Sequence, residues 1–112
     1  MALNRFTTGS GTYQRATALS VSALGSVSGS TTSAFTVTNA GLAQGSLSGL
    51  DTDSTYICQW STPGAANIIG AVIISAFMTI SAGVETLNLY ITNTTGSTIN
   101  FPANVQINLV QL

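Results

Sequence analysis

Histidine and lysine are absent from this chain, and two arginines and three acids make up its whole charged inventory among 112 residues. Charged side chains therefore form 4% of the sequence, where about 25% is usual. A nucleic-acid binder needs clustered cations to neutralise phosphates, and Arg5 and Arg15 alone cannot supply that footprint. Catalysis through a histidine base or a lysine amine is excluded by composition. One cysteine, Cys58, allows no internal disulfide. It sits inside the apolar, strand-like run Tyr56-Ile57-Cys58-Gln59-Trp60 and reads as a small buried residue. As a nucleophile it would need a base, and no histidine exists to be one. No enzyme activity, cofactor or metal is expected.

The chain instead holds 45% hydrophobic residues and 31 serines and threonines, so neutral hydroxyls solvate it where charges normally would. That apolar content excludes a disordered tail, and the length fits one domain. The start, Met1 to Thr7, has no basic stretch leading into an apolar core, so no signal peptide is read there. Residues 65–84 carry no charge for about twenty positions, the length of a membrane span. Asn67, Ser75, Thr79 and Ser81 interrupt the segment and no cation flanks it. A buried strand pair is the better reading, and no membrane partner is expected.

Composition shifts along the chain. All nine isoleucines lie between Ile57 and Ile107, whereas residues 1–33 are rich in Ser, Thr, Gly and Ala. Residues 1–33 are thus expected to form an extended arm with one weak strand over 16–23, and residues 34–112 the packed body. Such an arm buries too little to offset its ordering entropy, so a neighbour is expected to hold it and the body to fold without it. Leu3 and Phe6 would be its apolar anchors, and Arg5 and Arg15 would meet carboxylates on a partner.

The body reads as strands. Residues 34–38 alternate apolar and hydroxyl side chains and end in the turn chemistry of Asn39-Ala40-Gly41. Residues 54–60 form a second run, bounded by Asp51-Thr52-Asp53 and Pro63-Gly64. Leu87, Leu89 and Ile91 alternate with polar residues over 86–93, and Val105, Ile107 and Leu109 do so over 104–109. Each of these two runs should present one dry and one polar face. The turn cluster Asn93-Thr94-Thr95-Gly96-Ser97 suggests that they pair as antiparallel neighbours. The fold class expected is all-β: an antiparallel β-sandwich, jelly-roll-like or Greek key, with the N-terminal arm.

Residues 68–80 differ, because both parities are apolar. No polar stripe recurs at helical spacing, and the β-branched content favours a strand. Such a strand would be buried on both sides, Ile73 facing one way and Ile74 the other. A single sandwich has one core, so the second face needs another subunit. A folded monomer of this size exposes roughly 5,800 Å², which five charges cannot cover at ordinary density. A homo-oligomer, specifically a trimer, is expected.

The most enzyme-like string is Leu50-Asp51-Thr52-Asp53-Ser54. It resembles the Asp-Thr-Gly loop of retroviral-type aspartic proteases, but Asp53 stands where that loop needs glycine. The same Asp-x-Asp spacing opens a calcium loop whose later ligands do not follow. A polar turn capped by its own aspartates is the plain reading. Glu85 has too few acidic companions to form a glycosidase pair. Asn93-Thr94-Thr95 matches the glycosylation acceptor pattern and reads as a turn.

The segment from Thr86 to Asn100, followed by Asn104-Val105-Gln106-Ile107-Asn108-Leu109, resembles small β-sandwich proteins of tailed-bacteriophage virions. In those a strand ending in an Asn/Thr-Gly turn leads into a closing strand. The resemblance covers residues 34–112. It implies a capsid decoration, or cement, protein on the outer surface of the virion, usually trimeric, stabilising the head through non-covalent contacts with the major capsid protein. No catalytic residue comes with it. The rival expectation is a head-fibre or tail-associated module that binds host glycan on a platform of Tyr56, Trp60 and Tyr90.

Overall fold

The computed structural model describes residues 15–112, with Arg15 placed by its backbone alone. The described residues form nine strands: β1 (Arg15–Val21), β2 (Ser26–Val27), β3 (Thr32–Thr38), β4 (Leu42–Gln44), β5 (Tyr56–Trp60), β6 (Ala71–Ser81), β7 (Val84–Asn93), β8 (Ile99–Asn100) and β9 (Val105–Gln111). They build one sheet in the order β4-β1-β9-β5 and a second in the order β3-β7-β6, with β2 and β8 as a two-stranded ribbon. Every pairing is antiparallel. The expected all-β, sandwich-like architecture is what the chain adopts.

Period-two alternation places the core. Tyr56, Cys58 and Trp60 of β5 are buried while Ile57 and Gln59 are exposed. Leu87, Leu89 and Ile91 of β7 and Val105, Ile107 and Leu109 of β9 turn inward to the same cluster. Phe101 ties the layers together. Its ring meets Trp60 at 5.5 Å and Phe35 of β3 edge-on at 6.0 Å, a geometry aromatic pairs favour.

β7 and β9 are not neighbours. β7 lies between β3 and β6, and β9 between β1 and β5. Their link, residues 94–104, does not close a hairpin but carries β8, so the two apolar faces meet through the core. Side-chain alternation fixes which face of a strand is dry, and it does not choose the strand beside it.

The division at residue 33 also moves. β1 fills the place between β4 and β9, pairing from Arg15↔Gln111 to Val21↔Val105, and β2 pairs with β8. Residues 15–33 hold few large apolar groups, but Leu19, Val21, Leu24 and Val27 are all buried. Placement outweighs number here. Leu3, Arg5 and Phe6 lie outside the described residues. Arg15 belongs to β1 by its backbone.

Within residues 68–80, Ile68 to Gly70 are turn and β6 begins at Ala71. This strand is not buried on both sides within one chain. Ala71, Ala76 and Met78 are buried, while Val72, Ile74, Phe77 and Ile80 are exposed. The uncharged stretch 65–84 is thereby assigned to turns and a hairpin, and no helix among the described residues is long and apolar enough to cross a membrane.

Candidate interaction surface

Along one side of the sandwich, β5 and β6 are both terminal strands of their sheets. The Trp60 indole Nε1–H crosses between them and donates to the Ala71 carbonyl at 2.9 Å. That bond joins the sheets at one point. Beside it opens a cleft of about 450 Å³, lined by Ile57, Gln59, Trp60, Pro63, Val72 and Ile73 among others. None of the described lining residues is charged. Ile57, 44% exposed, and Val72, 47% exposed, line this opening, and Ile74, 57% exposed, extends the aliphatic strip into a smaller cleft that shares Ile57. Single exposed aliphatics are ordinary, whereas a patch of them beside an open sheet edge marks a contact surface.

A β-bulge shapes the strip. The β6–β7 register slips between Ile73↔Ile91 and Ser75↔Tyr90, leaving Ile74 without an opposite residue. A bulge bends the strand and re-aims its side chain. Ile73 packs against the core and Ile74 projects to solvent. The expected divergence of these two neighbours is present and follows from simple alternation. The extra residue shifts the parity after it, so that Ser75 is also exposed and Ala76 is buried. Ile74 lines a smaller cleft with Ile57. Ile57 was not legible as a surface residue from the sequence, because its side chain is apolar and only Gln59 on the same parity marks the outer face.

Tyr56, Trp60 and Tyr90 form no platform. Tyr56 and Trp60 share the inward parity of β5 and are buried. Tyr56 donates its hydroxyl to the Asp51 carbonyl at 2.6 Å. Tyr90 lies on the outer face of the other sheet, stacked on Phe77 at 6.3 Å. A sugar cannot lie across rings that are distributed between core and surface.

The acidic groups have local tasks. Asp51 accepts the Asp53 N–H at 2.9 Å and the Ser54 hydroxyl at 3.2 Å, which is the self-capped turn that its sequence suggested. Glu85 accepts from the Asn39 amide and the Ser48 hydroxyl, each at 3.5 Å. No group of three or more potential metal-ligating side chains occurs among the described residues.

Asn93 is fully buried. Its amide nitrogen donates to the carbonyls of Val27 at 3.0 Å and Ser97 at 2.7 Å. Its carbonyl oxygen accepts from the Thr95 N–H at 2.8 Å and the Thr95 hydroxyl at 2.7 Å. It is therefore the knot that ties the end of β7 to β2 and to the 94–97 turn, and its nitrogen is not presented for glycosylation.

Burial pushes the Cys58 thiol up to about 12, so a thiolate is scarce and nucleophilic use is disfavoured. This has a consequence for stability. Below pH 9 the thiol is protonated in both folded and unfolded chains. Above it, the unfolded chain releases the proton while the folded chain keeps it, so the unfolded state gains. Stability should be lower by about 1.4 kcal/mol at pH 10 than at pH 8 through this group. Urea unfolding of the parent and of Cys58→Ala at both pH values checks this, with the loss expected to be smaller by that amount in the variant.

Comparison with protein-family models, with curated proteins and with solved structures finds no match to this chain.

Proposed function

We propose that the protein is a structural assembly component of a virion, a capsid decoration protein. It would bind the outer surface of the head by burying its β5–β6 side against the major capsid protein. The observation that carries this reading is the cleft between β5 and β6, whose described lining residues are uncharged and include exposed Ile57 and Val72, with exposed Ile74 lining the smaller cleft that shares Ile57. Burying such a surface removes apolar area from water without desolvating an unpaired charge. The likeness of residues 86–109 to virion β-sandwich proteins supports the choice of a virus head as the assembly. The glycan-binding reading loses its platform with the burial of Tyr56 and Trp60.

Cosedimentation with heads of the virus that carries the gene, purified without this protein, tests the reading. The parent protein is expected to saturate a fixed number of sites per head. Ile57→Asp and Val72→Asp, both at exposed positions, should fold normally and bind at least about 30-fold more weakly, because each places an uncompensated charge in an apolar contact. Failure of the parent to sediment with heads overturns the capsid reading. Parent-like binding by both variants overturns the assignment of the surface.

A further inference from the structure

We draw no further inference here: the strongest candidate, the exposed Phe77–Tyr90 ring pair on the outer face of the β3-β7-β6 sheet, is an unpartnered apolar face, and nothing in the structure shows what covers it.

Discussion

Deleting residues 2–30 is expected to yield a chain that does not fold. The deletion removes β1 from between β4 and β9, stripping one side of β9 of its ladder from Val105 to Gln111. It also removes Leu19, Val21, Leu24 and Val27, all buried. At about 1.5–3 kcal/mol for each buried aliphatic side chain, the loss is of order 6–12 kcal/mol. Net stabilities of domains are of order 5–15 kcal/mol, so the remainder has little or nothing left. Circular dichroism and a thermal scan of the truncated chain check this. A cooperative transition close to that of the parent would show that β1 is dispensable and would return residues 15–30 to the role of an arm.

Asn93→Asp should be the most damaging isosteric change in the protein. The substitution preserves shape and reverses the polarity of one end of the side chain. Two donated hydrogen bonds, to the carbonyls of Val27 and Ser97, are replaced by oxygen facing oxygen in a fully buried site. Ionised, the new group is a buried charge without a cation, worth about 3–5 kcal/mol of destabilisation. Protonated, it restores one donor of the two, so the deficit should shrink at acidic pH. Asn108→Asp makes the same chemical change at an exposed position of β9 and should stay within about 0.5 kcal/mol of the parent. Urea denaturation of the three proteins at neutral and acidic pH gives the comparison. Equal stability of the two variants at neutral pH would mean that the Asn93 network does not hold β2 and the 94–97 turn in place.

What could be read from the sequence followed physical locality. The inward faces of β5, β7 and β9 were legible because a half-buried strand must alternate, and Cys58, Leu89 and Ile107 obey that rule. Which strands lie side by side was not legible. The same alternation in 86–93 and 104–109 serves hairpin partners and facing sheets equally well, and only the path of residues 94–104 decides. β1 was underestimated because composition counts apolar residues without regard to parity, and Leu19 and Val21 occupy the parity that matters.

The candidate surface was half legible. An excess of apolar residues on both parities of 68–80 announced an uncovered face, and Ile74 is on it. Val72 shares the parity of Ile74 within 68–80, whereas Ile57 emerges only when β5 and β6 are seen at the same side of the sandwich. The aromatic platform failed because Tyr56 and Trp60 share a parity with Cys58, so whatever buries the thiol buries the rings. Asn93 looked like turn chemistry, and it is, but its depth depends on Val27, 66 residues away.

The proposed docking through the uncharged β5–β6 side has one direct consequence, the response of head binding to salt. Raising NaCl from about 0.1 M to about 1 M shortens the screening length from about 10 Å to about 3 Å and weakens contacts that rest on exposed ion pairs. Binding isotherms to purified heads at the two salt concentrations are the decisive comparison. Burial of Ile57, Val72 and Ile74 against an apolar partner predicts an affinity that holds steady or rises. A fall of tenfold or more would contradict it and would place the contact on charged groups elsewhere in the chain.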